Sequence, residues 1–190
     1  MTTVLLILVL VTLAAVLALA VVVAAMLRSL TRLRAHVDRA PAHAMSDALD
    51  GGLPVGTAVP RIEATALDGS PYGGDRWSGA LRLVAFAHPG CPPCEDLVPG
   101  LIGGCEEGTL PPAIVVSRGD PSEQPAGWRR AGARADVVTE HADDVARRFD
   151  SFITPHVFVV TPQDRIGARG VATTVEDVRA LVARATGWSS

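Results

Sequence analysis

The residues best suited to chemistry lie in one short segment, His88-Pro89-Gly90-Cys91-Pro92-Pro93-Cys94. Two cysteines three positions apart on a helix are one turn from each other, within reach of a disulfide. The segment follows a nearly continuous apolar run, Leu81 to Ala87, which reads as a buried strand. It precedes Pro92 to Ile102, which suits a helix. At such a junction the first cysteine meets the helix N-terminus, where orphan N–H groups and the macrodipole favour a thiolate. Cys91 is therefore the expected exposed nucleophile and Cys94 the more buried resolving thiol. Pro92 and Pro93 are tolerated because first-turn N–H groups lack intrahelical partners. His88, three residues before Cys91, would favour the thiolate as an imidazolium, or else bond to backbone at the strand end. Two rival readings of the pair are an inert couple and a half-site for zinc or copper. Structural zinc needs a second pair of ligands, which Cys105 or the five histidines could supply only by accident of folding.

The elements that must position this segment show as short apolar runs alternating with helical stretches. Ile62 to Leu67 reads as a first strand, ended by Asp68-Gly69. Ala113 to Val116 is a second buried strand, Val137-Val138 a short one, and Ala142 to Phe149 a short helix. Val157 to Val160 and Arg165 to Arg169 flank Thr161-Pro162-Gln163-Asp164, a hairpin turn. Val175, Val178, Leu181, Val182 and Ala185 share one face of a last helix. Mixed strands and helices of this order predict a layered α/β sheet. Cys105, after Gly103-Gly104 near the end of the first helix, reads as a small buried residue. His156, next to core side chains, is weighed as a ligand or acid–base group against a simple core residue. Glu95 and Asp96 read as a solvated helix face.

Composition bounds the rest. The chain has 190 residues, 20 acidic and 17 basic, for a net charge of −3. That balance argues against a nucleic-acid partner, which would need a basic face. All 17 basic residues are Arg, which excludes every lysine-based chemistry. Val4 to Leu27 is an uncharged run of 24 residues with Thr12 its one polar member. As a helix it would reach about 36 Å, enough to cross a hydrocarbon core of ~30 Å. It is longer than a signal-peptide core and no Arg precedes it, so it reads as an uncleaved anchor. The expected organisation is a transmembrane anchor at 4–27, a connector at 28–56 and a soluble domain at 57–190. Arg28, Arg32, Arg34 and Arg39 follow the span, which by the positive-inside rule argues for a cytoplasmic domain.

The strand–Cys-Pro-Pro-Cys–helix segment, the later Thr154-Pro155 at a strand start, and the closing hairpin and helix resemble the thioredoxin superfamily. Val55-Gly56-Thr57-Ala58-Val59-Pro60 before Leu67-Asp68-Gly69 resembles the opening of its membrane-tethered TlpA/ResA-like branch. The anchor with its basic follow-on, the Pro-x-Cys-Pro-x-Cys-type segment, and Ala168-Arg169-Gly170-Val171 are most similar to MauD-like proteins of methylamine utilisation. The resemblance implies a thioredoxin-like fold, a central mixed sheet flanked by helices, and a single-pass membrane protein that works mostly outside the cytoplasm. It implies a redox disulfide between Cys91 and Cys94 and a cis bond at Thr154–Pro155 that aligns the client backbone. Partners would be disulfide- or dithiol-bearing clients and a redox partner, with no cofactor and no metal. A copper- or zinc-handling module using the same cysteines is the alternative. The chain departs from the family in three places. Gly90 stands where thioredoxin has Trp, no carboxylate lies on the preceding strand, and His88 occupies the place where a peroxiredoxin needs Thr or Ser.

Overall fold

A computed structural model describes residues 51–73, 76–129 and 132–187. The expected anchor and most of the connector lie outside the described residues. Among the described residues no helix is long and apolar enough to cross a membrane. In chain order the elements are β1 (Glu63–Ala66), β2 (Pro71–Gly73), β3 (Arg82–Ala87), α1 (Pro92–Glu106), β4 (Ala113–Arg118), β5 (Ala135–Glu140), α2 (Asp144–Arg148), β6 (His156–Val160), β7 (Ile166–Val171) and α3 (Val175–Gly187).

The strands form one mixed sheet in the order β2-β1-β5-β4-β3-β6-β7. β3, β4 and β5 run parallel, while β6 pairs antiparallel with β3 and β7, and β1 antiparallel with β5. Strand side chains alternate between faces. Leu83, Ala85 and Ala87 join Cys94, Leu97, Leu101, Val178 and Leu181 in one core beneath α1 and α3. Val84 and Phe86 turn to the other face, with Val116, Val138, Phe149 and Phe158. Cover on both faces is why β3 reads as a continuous apolar run. Phe86, Phe149 and Phe158 meet edge-to-face, with ring centroids 5.2 to 5.8 Å apart, and make up much of the aromatic content of that second core.

Several boundaries differ from the sequence reading. β2 has only three residues and carries no alternation to be read. α1 runs past Ile102 to Glu106, through Pro99 and three glycines, because packing of its buried face outweighs weak propensity. Gly100 and Gly104 are needed there: a Cβ would come within 2.9 Å of the Val175 and Leu110 side chains, respectively. α2 begins at Asp144 rather than Ala142, because Ala142 and Asp143 have left-handed φ of 56° and 57°. Residues 51–56, expected as the end of the connector, are bonded into the domain. The N–H groups of Gly52, Leu53 and Gly56 donate to the carbonyls of Asp150, Phe149 and Ile166 at 2.8, 2.9 and 2.8 Å. These bonds use backbone alone, so composition carried no sign of them.

One buried carboxylate stands outside the apolar cores. Glu140 ends β5, and its Oε2 accepts the N–H groups of Val145 and Ala146 at 2.8 and 2.9 Å. Burial raises its pKa; those two donors and Arg118 oppose the rise, and Asp143 adds to it. A carboxyl with a raised folded pKa contributes stability below its unfolded value, and that contribution is lost as pH rises through the folded value. Glu140→Gln keeps an acceptor for both N–H groups and cannot ionise. Its stability relative to the wild type should therefore rise between about pH 4 and pH 8 in urea titrations. A difference constant across that range would show that ionisation of Glu140 does not oppose folding.

Candidate active site

β3 is an interior strand, and at its C-terminal end His88-Pro89-Gly90 turns the chain into α1. The Cys91 N–H donates back to the His88 carbonyl at 3.2 Å, closing the turn. Gly90 holds φ at +77°, a conformation strained for any residue with a Cβ. This accounts for glycine in place of a bulky residue at that position. Cys91 is the N-cap of α1, with Pro92 and Pro93 at the first two helical positions.

Cys91 and Cys94 are joined as a disulfide, with Cα atoms 5.3 Å apart. The two sulfurs are not equivalent. Cys94 is fully buried in the core beneath α1, whereas Cys91 is half-buried at the surface. Across from Cys91 lies the segment before β6. The Thr154–Pro155 bond is cis, and the Thr154 carbonyl oxygen is 3.8 Å from the Cys91 sulfur. Thr154, Pro155, Cys91 and Cys94, which are 60 residues apart in two groups, thus converge. Nothing in their local spacing predicts that; it follows from β6 pairing with β3.

His88 is exposed and its Nδ1 contacts the Pro89 carbonyl, the backbone-bonded arrangement weighed from the sequence. His156 is a core residue: it is fully buried, hydrogen-bonded through Nδ1 to the Ser151 hydroxyl at 2.9 Å, and packed on Phe158. Cys105 is also fully buried, and its thiol donates to the Pro111 carbonyl at 3.0 Å. Burial pushes that thiol up to about 12, so it stays protonated and unreactive at neutral pH. Glu95 and Asp96 are solvated. Among the described residues no group of three or more His, Cys, Asp and Glu side chains could hold a metal. Sequence reasoning passed over Phe152, 63% exposed, and Ile153, 37% exposed, which make an apolar rim just before Thr154. Their adjacency to Thr154-Pro155 was the available signal.

The two prolines limit the backbone donors around Cys91. An N-cap side chain accepts from the N–H of the second or third helical residue. The second is Pro93, which has no N–H. The third is Cys94, whose N–H is bonded to the Cys91 carbonyl at 2.9 Å. A thiolate at Cys91 therefore has the helix dipole but few donors. Pro93→Ala adds one N–H at the right position. Alkylation of reduced Cys91 by iodoacetamide at neutral pH should accelerate by roughly three- to tenfold, as expected for one charge-assisted hydrogen bond partly open to solvent. An unchanged rate would mean that this N–H does not reach the sulfur.

No protein-family model matches the chain, and no curated protein matches it significantly. Solved structures do. The thioredoxin domain of a thiol-disulfide oxidoreductase from Bacteroides vulgatus is 22% identical, with 68% of this chain and 99% of that one covered and a TM-score of 0.52. A secreted Mycobacterium tuberculosis disulfide oxidoreductase described as homologous to E. coli DsbE is 16% identical, with 66% and 95% covered and a TM-score of 0.54. A protein described as a disulfide isomerase from Bacteroides thetaiotaomicron is 14% identical, with 72% and 91% covered and a TM-score of 0.58. At these identities the likeness establishes the fold. The described part of the chain is a thioredoxin-like α/β domain, with a C-x-x-C disulfide at the N-terminus of its first helix.

Proposed function

We propose that the protein is a membrane-tethered thiol–disulfide oxidoreductase that exchanges disulfides with client proteins through Cys91 and Cys94. The observation that carries this reading is the asymmetric Cys91–Cys94 disulfide, with the half-buried sulfur facing the Thr154 carbonyl and the other sealed in the core. In the reducing direction the Cys91 thiolate attacks one sulfur of a client disulfide. An S–S bond forms between protein and client, the client S–S bond breaks, and one client thiolate leaves. The Cys94 thiolate then attacks the Cys91 sulfur, closing the internal disulfide and releasing the second client thiolate. Two electrons pass to the client, and a dithiol partner returns them. The oxidising direction runs the same steps in reverse. The Thr154 carbonyl, beside the reacting sulfur, aligns the client backbone.

Cys91→Ser abolishes exchange in this scheme, whereas Cys94→Ser retains the attacking thiol and loses its resolver. The second variant should accumulate a mixed disulfide with client, visible as a reducible adduct on non-reducing gels. Adducts formed by Cys91→Ser instead would reverse the two roles.

The apolar run from Val4 to Leu27 supports the tether, and a single pass fits its length. The anchor with its following arginines, together with Ala168-Arg169-Gly170-Val171, supports a place near the MauD-like proteins within the tethered branch. We place the soluble domain outside the cytoplasm, where client disulfides persist. The four arginines after the span argue the other way, but downstream domains are translocated despite such charges. Alkaline phosphatase fused after Ser190 should therefore be active. A stable but inactive fusion would assign the domain to the cytoplasm.

A further inference from the structure

The Thr154 carbonyl faces Cys91 from Phe152 to Pro155, the last four residues of the connection between α2 and β6. Phe152 and Ile153 are exposed, so little packing on the outside holds the loop. Its two ends are held from within. Ser151 is buried and its N–H donates to the Ala146 carbonyl at the end of α2, at 2.9 Å. His156 is buried and paired with Phe86 of β3, the strand that leads to Cys91. The Ser151 hydroxyl and His156 Nδ1 are hydrogen-bonded at 2.9 Å, which draws the two ends of the loop together.

A second contact bears on the same imidazole from outside the loop. Gly52 is buried with φ of +85°, and its backbone lies so close that a Cβ would come within 2.7 Å of His156 Cε1 and 2.9 Å of the Phe158 ring. Its N–H donates to the Asp150 carbonyl at 2.8 Å, and Arg169 Nη1 donates to the carbonyls of Gly51 and Gly52. The segment leading in from the connector thus packs against the imidazole that Ser151 holds.

From these contacts we infer that Ser151 and His156 are positioning residues for disulfide exchange, and that the Gly51–Gly52 segment is the strap that keeps them so. They touch neither sulfur. They set where the Thr154 carbonyl stands relative to Cys91, and with it how a client backbone is presented. The inference rests on the oxidoreductase reading above. Its consequence is specific: loosening the clamp impairs exchange with a polypeptide disulfide and leaves attack on a small electrophile alone, because iodoacetamide needs no backbone alignment.

Two variants test this in the full-length protein. Ser151→Ala deletes the hydroxyl. Gly52→Ala keeps both the hydroxyl and the imidazole but pushes the imidazole aside by steric contact, so it tests the clamp independently if the first does not fold. Each is compared with wild type at a temperature where circular dichroism shows native structure. The rate of insulin disulfide reduction should fall on the order of tenfold, as expected when reacting groups are misplaced by a fraction of an ångström to an ångström. Iodoacetamide alkylation of reduced Cys91 should stay within about twofold, because the helix N-terminus that governs its thiolate is untouched. Unchanged insulin reduction in both variants, with an active wild type, overturns the inference alone. An equal fall in both rates also overturns it, since general loosening of the domain would do the same. A wild-type protein inert toward insulin defeats the oxidoreductase reading, and the inference with it.

Discussion

The antiparallel register between β3 and β6 is the constraint from which the site follows. Phe86 stands opposite His156, and Arg82 opposite Val160. β3 ends one residue after Phe86, and the chain then turns through Gly90 into Cys91. β6 starts at His156, directly after Thr154-Pro155. With that pairing fixed, the end of one strand and the beginning of the other lie side by side, and the Thr154 carbonyl meets the Cys91 sulfur. A slip of one residue would turn Val157 and Val159 out of the core beneath α1 and bring His156 and Phe158 into it. Small aliphatics beneath α1 and phenylalanine rings on the other face would then trade places, so side-chain size makes that slip costly and the core specifies the site's geometry.

The same burial distinguishes the two sulfurs. α1 starts at the C-terminal end of β3 and passes over the core, so one helical turn takes the chain from half-buried Cys91 to fully buried Cys94. Only the first is open to solvent, and the second is bonded to the first. Cys105 continues down the same helix to a place where its thiol is fully buried and hydrogen-bonded, which removes it from the exchange. Depth separates Cys91 from the other two, and partners separate those: Cys94 is bonded to Cys91, whereas the equally buried Cys105 is held by the Pro111 carbonyl.

Much of this was legible in the sequence because it is local or periodic. The Cys-Pro-Pro-Cys segment declares its helix N-terminus through its prolines, and the buried strands declare themselves by unbroken apolar runs. The β6–β7 hairpin shows in its turn residues, although Asp164 there also pairs with Arg82 at the foot of β3, a long-range contact with no local sign. β2 and the outer residues of β5 were missed because sheet pairing supplies order that three or four residues cannot signal by themselves. Ser151 was missed for a different reason. A serine before an exposed phenylalanine reads as an ordinary loop residue, and only its distance to His156 after folding gives it a role. The function of Gly52 is likewise a matter of the space left by His156 and Phe158.

The two halves of the site rest on opposite faces of one sheet. Cys94 and the first turns of α1 are seated on Leu83, Ala85 and Ala87, in the core shared with α3. On the other face His156, which directly follows Pro155, packs on Phe158, and Phe158 on Phe86 and Phe149. Side-chain substitutions under α1 therefore act first on the sulfurs, and substitutions in the aromatic core act first on the carbonyl opposite them. Coupling between the halves passes through the paired backbones of β3 and β6. In the proposed exchange, this division would let the reactivity of the thiols and the presentation of a client be set by different residues. The Pro92-Pro93 pair controls the donors around Cys91, and the Ser151–His156 pair controls the edge that Cys91 faces.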